Sequence, residues 1–164
     1  MTEVQSAFTT FIRESKLSIY RLAYSYTKNE QDALDVIQDS IQKGWAALHT
    51  LTKIERMKSW FYTILVRTAI DRLRKQKRIE LMSDERIAQI ADYDTYKNLD
   101  LHEALEHLPL QLREVIVLRY FEDLKMEEVA QILSLPLSTV KSRLYRALKL
   151  LKMELEQEGL VHHA

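Results

Sequence analysis

The side chains of this sequence best placed to do chemistry are its cations, and they fall in two tight runs. Arg67, Arg72, Arg74, Lys75, Lys77 and Arg78 lie together with only Asp71 among them. Lys141, Arg143, Arg146, Lys149 and Lys152 form the second run, and no acid occurs between Leu137 and Lys152. Rings and hydroxyls accompany both: Trp60-Phe61-Tyr62 precedes the first, and Ser138, Thr139, Ser142 and Tyr145 are interleaved with the second. That mixture suits a nucleic acid, because cations follow the phosphates, hydroxyls bond phosphate oxygens or base edges, and rings stack on unpaired bases. The competing explanation of such a run is the solvated face of an ordinary helix. Between the runs the charge reverses: Glu80, Asp84, Glu85, Asp92, Asp94, Asp100, Glu103 and Glu106 face only Arg86 and Lys97. The 24 Lys plus Arg and 24 Asp plus Glu therefore cancel to a net charge of zero that conceals segregation.

Other chemistries are disfavoured. The stretch His102-Glu-Ala-Leu-Glu-His107 looks like a zinc-protease motif, but its histidines stand at i and i+5, about 140° apart on a helix, where the motif needs i and i+4. No metal or cofactor is expected. With no cysteine there is no disulfide, thiol nucleophile or Cys-ligated zinc, and the two glycines are too few for phosphate-cradling loops or an all-β fold. No nucleophile–base set or carboxylate pair stands out, so an enzyme with a small-molecule substrate is not expected. No apolar run approaches the roughly 20 residues of a membrane span, and the N-terminus lacks a signal-peptide pattern, so a cytoplasmic protein is expected. His162-His163 carries no assignment.

The elements that must hold these side chains are all helical. Phe8, Phe11, Ile12, Ile19, Leu22, Ala23 and Tyr26 recur at helical spacing and predict one helix over Val4–Thr27. Asn29 with Asp32 three residues on predicts an N-cap for a second helix ending near Leu48, with Ala33, Leu34, Ile37, Ile41, Trp45 and Leu48 on its apolar side. A third runs over Ser59–Arg78. The polar stretch that follows supports at most one short helix around Ile87 and Ile90. Pro109 then separates Leu99–Leu108 from Leu110–Phe121, since proline suits a helix start and not its interior. Met126–Leu133 and Leu137–Glu156 complete the chain. The fold class is all-α: two small helical domains, 1–79 and 99–160, joined by an acidic linker at 80–98.

Within the second domain, Val129, Ala130 and Leu133, a short turn with Pro136, and a following amphipathic helix have the layout of a helix-turn-helix. Val140, Leu144, Ala147, Leu148 and Leu151 share one side of that last helix. The opposite side carries Ser138, Ser142, Tyr145, Arg146 and Lys149, with Thr139, Lys141 and Arg143 flanking it. A recognition helix needs this division: one face seated on its own domain, the other offered to the major groove. In the third helix Leu65, Val66, Ala69, Ile70 and Leu73 face the core while Arg67, Asp71, Arg74, Lys75 and Arg78 lie opposite. Phe61 and Tyr62 read as core. Trp60 projects nearer the basic side, and both a core and a base-stacking role stay open for it.

These residues resemble a known family. Asp32-Ala-Leu-Asp-Val-Ile-Gln-Asp39, Ser59-Trp-Phe-Tyr62 and Arg67-Thr-Ala-Ile-Asp-Arg-Leu-Arg74 resemble region two of bacterial sigma factors. Leu105-Glu-His-Leu-Pro109, Arg113 through Tyr120, Glu127-Glu-Val-Ala130 and Thr139 through Ala147 resemble region four. The order, the length and the lack of a third-region domain resemble the extracytoplasmic-function (group four) sigma factors, and suggest their sigma-V-like subgroup. The resemblance implies that Asp35, Gln38, Asp39 and Gln42 bind the clamp helices of the polymerase β′ subunit. It implies that the third helix, with the loop His49–Lys58, recognises and melts the minus-ten element with a base flipped into the loop. The connector would thread the polymerase cleft, and region four would read the minus-thirty-five element and touch the β-flap. Core RNA polymerase, promoter DNA and a membrane-anchored anti-sigma factor are the implied partners, with an envelope or stress response the implied setting. Two other classes stay open: a stand-alone helix-turn-helix regulator, and an adaptor binding protein partners through its helices. The first half separates them, because a simple repressor needs no second basic aromatic helix. Thr68 stands where family members often carry Asn, and Ser134 and Ser138 where they often carry Gly; Ser138 is expected to cap the recognition helix.

Overall fold

A computed structural model of the chain describes residues 1–82 and 101–157, and these hold eight α-helices and no strand. The expected first helix is two: α1 (Glu3–Glu14) and α2 (Lys16–Thr27) meet at Ser15, whose φ of −104° and ψ of 14° leave the helical region. The bend brings Phe8 from α1 and Ile19, Leu22, Ala23 and Tyr26 from α2 into the core. Thr2 and Gln5 form a reciprocal capping box that fixes the start of α1.

α3 (Glu30–Ala46) opens as predicted, with the Asn29 side chain accepting the Asp32 N–H at 2.8 Å. Its buried stripe is rotated from the expected one: Ala33, Val36, Ser40 and Gly44 go inward, while Leu34 and Trp45 are 47% and 42% exposed. The reason is close approach. A Cβ on Gly44 would stand 3.0 Å from Phe8 Cζ, so small residues let α3 press against the aromatic cluster. Ser40 satisfies its hydroxyl by donating to the Val36 carbonyl at 2.7 Å. Two short 3-10 turns, Leu48–Thr50 and Ile54–Arg56, lead to α4 (Met57–Met82), which is longer than predicted at both ends.

The second half contains α5 (Leu101–His107), α6 (Leu110–Ile116), α7 (Met126–Leu133) and α8 (Leu137–Gln157). The break at Pro109 is where the sequence puts it, with the Leu112 and Arg113 N–H groups donating to the Pro109 carbonyl. The predicted Leu110–Phe121 helix changes winding instead of continuing: Val117–Phe121 is a π-helical turn closed by Glu122 N–H to the Val117 carbonyl at 2.9 Å. The possible short helix near Ile87 and Ile90, and the linker beyond Met82, lie outside the described residues.

Phe8, Leu22, Phe61, Tyr62 and Leu65 anchor α1–α4, and Val115, Leu118, Val129, Ile132, Val140 and Ala147 anchor α5–α8. The two groups join in one buried cluster. At the seam every residue from Leu112 to Leu118 is buried, Arg113 and Glu114 included. A charged helix buried all round has a partner on each side, here α8 on one and α2 on the other.

Candidate nucleic-acid interface

α7 and α8 meet through a tight turn in which Ser134 is left-handed (φ 55°, ψ 46°). The Leu135 N–H closes back to the Ala130 carbonyl at 3.0 Å, ending α7. α8 starts at Leu137, with the Thr139 and Val140 N–H groups both donating to the Pro136 carbonyl. Ser138 therefore lies inside the first turn and does not cap the helix, a correction to its expected role. Val140, Leu144, Ala147 and Leu151 are buried against the rest of the domain. Ser138, Lys141, Ser142, Tyr145, Arg146 and Lys149 are exposed on the other side, Tyr145 by 73%. Thr139 and Arg143 are half-buried flanks. Arg143 also lies close enough to Glu114 for its charge to favour that carboxylate.

On α4, Arg67, Asp71, Arg74, Lys75 and Arg78 are all exposed. Arg72 is not part of that stripe: it turns to α3 and binds Asp32 at 3.1 Å and Asp35 at 3.0 Å. Hydrogen bonds from Asn29 and Gln76, helped by Arg72, hold the Asp32 carboxyl below its ordinary range. Phe61 and Tyr62 are core, as expected. Trp60 departs from the basic side. Its ring packs edge-on against Phe8 at 5.9 Å and its indole N–H donates to Thr50 Oγ1 at 3.1 Å, tying α4 to the turn that begins the 49–58 loop. Thr68 is buried, donating to the Ile64 carbonyl at 2.8 Å and accepting Lys43 Nζ at 3.1 Å.

Along α3, Gln38, Asp39 and Gln42 are exposed and Asp35 half-buried. Asp35 is partly committed to Arg72, and the exposed Leu34 lies beside this polar surface. The ring nitrogen Nδ1 of His107 pairs with Glu154 of α8. Among the described residues no group of three or more His, Cys, Asp or Glu is arranged to hold a metal ion, and no helix is long and apolar enough to cross a membrane.

The Sigma-70 region 2 family model matches residues 11–79, and the Sigma-70, region 4 model matches residues 98–151. The chain is 51% identical over 158 residues to the RNA polymerase sigma factor SigV of Bacillus subtilis, covering 95% of both. It is 29% identical to the ECF sigma factor SigW of the same organism, over 92% of this chain and 90% of that one. The chain belongs to the extracytoplasmic-function sigma factors. This sigma factor is also 31% identical to the ECF sigma-E factor of Escherichia coli, over 87% of its own length and 83% of the other. Its fold is similar to that of the sigma factor RpoE of Bartonella quintana, solved with the anti-sigma factor NepR, at a TM-score of 0.74 and 28% identity over 90% of this chain and 97% of that one. It is similar also to CnrH, solved with the cytosolic domain of CnrY, at a TM-score of 0.67 and 28% identity over 93% and 90%. Regions two and four thus account for both basic helices, in an alternative sigma factor that directs transcription.

Proposed function

We propose that the chain loads onto bacterial core RNA polymerase and reads a two-part promoter, with residues 1–79 as one functional unit, 80–98 as linker and 99–160 as the other. The observation that carries this is the pairing of two exposed basic helix faces in one chain with a separate exposed polar face on α3. Asp35, Gln38, Asp39 and Gln42 meet the β′ clamp helices. Arg67, Asp71, Arg74, Lys75 and Arg78 line the downstream element, while Trp60 braces the 49–58 loop into which an unpaired base is received. Unstacking a base costs a few kcal/mol, which a cationic stripe beside a pocket can offset. In the major groove, Ser138, Thr139, Lys141, Ser142, Arg143, Tyr145, Arg146 and Lys149 engage the upstream element, and region four also touches the β-flap. The protein is a non-enzymatic, cytoplasmic subunit of an envelope or stress response, held in check by an anti-sigma factor, by analogy with the relatives solved in such complexes.

Run-off transcription with core polymerase and promoters selected from the genome tests this directly. Specific transcripts are expected only when the chain is added; failure to form a complex with core would sink the proposal. Arg146→Ala should weaken binding to the upstream element about tenfold while leaving core binding intact. Gln38→Ala and Gln42→Ala should do the reverse. Equal loss of both functions in either variant contradicts the assignment.

A further inference from the structure

A cleft of about 720 Å³ lies between α2 on one side and α5, α6 and the π-turn on the other, and none of the residues assigned to DNA or polymerase lines it. Its volume falls within the roughly 300–1,000 Å³ of small-molecule sites. The walls are mainly apolar. Tyr20 and Tyr24 of α2, with ring centroids 5.9 Å apart, face Leu105 of α5 and Val117 and Phe121 of the π-turn across it.

Two cations stand among these apolar groups without a carboxylate partner. Arg113 is only 5% exposed, yet its guanidinium is held by carbonyl oxygens alone. Its Nε donates to Ser25 at 2.8 Å, and its Nη1 to Leu108 at 3.1 Å and Glu106 at 3.4 Å. Nη2 has no acceptor among the described residues. Lys28, left-handed at the end of α2 (φ 59°), stands at the rim, and its Nζ donates to the same Glu106 carbonyl at 3.0 Å. Both cations therefore converge on one oxygen. Lost hydration and then the like charge of Arg113 lower the Lys28 pKa, and burial lowers that of Arg113. Glu30 and Glu106 also line the cleft, and the Glu106 carboxylate favours both cations from a distance, but neither acid forms an ion pair with them. A charge withdrawn from water ordinarily has an opposite charge against it, since its lost hydration is otherwise uncompensated.

We propose that this cleft binds a small amphipathic anion, an acyl carboxylate with its head on Lys28 and Arg113 and its chain along Tyr20, Tyr24, Leu105 and Phe121. The volume holds such a molecule whole, whereas a partner's α-helix, about 10–12 Å across, would fill it in under two turns.

Sodium decanoate, titrated into the whole chain below its micelle-forming concentration, tests this by calorimetry. Saturable one-to-one binding is expected with a Kd of about 0.1 mM, ordinary for a ligand of about a dozen heavy atoms. Decyltrimethylammonium has the same chain and the opposite head, and should bind at least about tenfold more weakly. Lys28→Gln should weaken decanoate about tenfold and Lys28→Arg should restore it, a rescue that a merely structural lysine would not show. Tyr24→Ala, which removes chain contact, should weaken it about fivefold. Arg113 is left in place because its bonds to the Ser25 and Leu108 carbonyls also hold the backbone. Nuclear Overhauser contacts from the decanoate methylenes to the Tyr20 and Tyr24 rings should place the chain. Equal affinity for the cationic amphiphile overturns the anion assignment. Binding that fails to saturate, or that ignores both Lys28→Gln and Tyr24→Ala, is adsorption elsewhere and overturns the site.

Discussion

Glu114 is a carboxyl group that water hardly reaches, and burial raises its pKa above the ordinary 4.5. The Tyr26 hydroxyl from α2, Arg143 from α8 and Arg113 beside it on α6 each pull the other way without cancelling the effect. A carboxyl whose pKa is raised in the docked form binds more protons there than in the separated form. Docking is therefore favoured below about 4.5 and weakens as pH rises through the raised value. Tyr26, whose own pKa burial and then Glu114 push well above 10, titrates outside this window. Asp32 acts in the opposite sense and lower down: its depressed pKa supplies stability above 3.8 that disappears as pH falls through the folded value. From pH 4.5 upward the fraction of molecules with regions two and four packed together, read as the distance between labels placed on each, is expected to fall with rising pH, and Glu114→Gln should flatten the profile. A slope that survives this substitution would assign the effect elsewhere. Arg72→Ala belongs to the same scale. Its two ion pairs tie α3 to α4 but are partly solvated, so the loss should be about 0.5–1 kcal/mol in urea unfolding.

Helices in this chain are shaped by a few positions where backbone or volume demands override hydrophobic periodicity. Ser134 is left-handed at the end of α7, a conformation glycine adopts without penalty. Ser134→Gly should therefore stabilise the protein by about 0.5–1 kcal/mol, raising its thermal midpoint by about 2–4 °C; a lower midpoint would mean that the serine side chain contributes something no contact shows. Gly44 gives the contrary case. Alanine there gains about 1 kcal/mol of helix propensity, but its Cβ would press on Phe8, whose ring is confined by Trp45, Trp60 and Phe61 at centroid distances of 6.1, 5.9 and 5.7 Å. Overpacking of this kind costs about 1–3 kcal/mol, so Gly44→Ala should lower stability by about 1 kcal/mol. These same positions mark the limit of what the sequence discloses. The Asn29 cap, the break at Pro109 and the division of α8, apart from Leu148, which is exposed and not seated with Val140 and Leu144, follow from local chemistry and are legible. The bend at Ser15 is not, because apolar spacing continues through it. Nor is the rotated stripe of α3, since Ser40 and Gly44 are buried for their smallness and not for hydrophobicity. The sequence leaves both roles of Trp60 open for a related reason: a helical wheel gives the direction of its Cβ, while an indole at the start of a helix can fold back onto a neighbouring ring, as it does onto Phe8.

At the scale of the whole molecule, the least legible feature is the seam. Arg113, Glu114 and Glu122 have the residue types of a solvated face, and only a second domain lying over them turns that face into an interior. Their burial makes each half depend on the other. Region two has the aromatic cluster around Phe8 and Phe61, and region four has Val115, Leu118, Val129 and Ile132, yet the buried residues form a single cluster across both. Small domains bury a low fraction of their surface and are marginal alone. The free protein is accordingly expected to unfold in one cooperative transition, with equal calorimetric and van't Hoff enthalpies. Cutting the seam with Arg21→Ala and Tyr62→Phe removes the three hydrogen bonds that Arg21 Nε, Arg21 Nη2 and the Tyr62 hydroxyl donate to the buried Glu122 carboxylate, and an unsatisfied buried charge is costly enough that the domains should part before either unfolds. The calorimetric trace should then resolve into two transitions, region four melting first because its core holds fewer aromatic rings, with the enthalpy ratio rising above one. A single transition at a lower midpoint would mean instead that the two regions fold as one body and that opening requires partial unfolding.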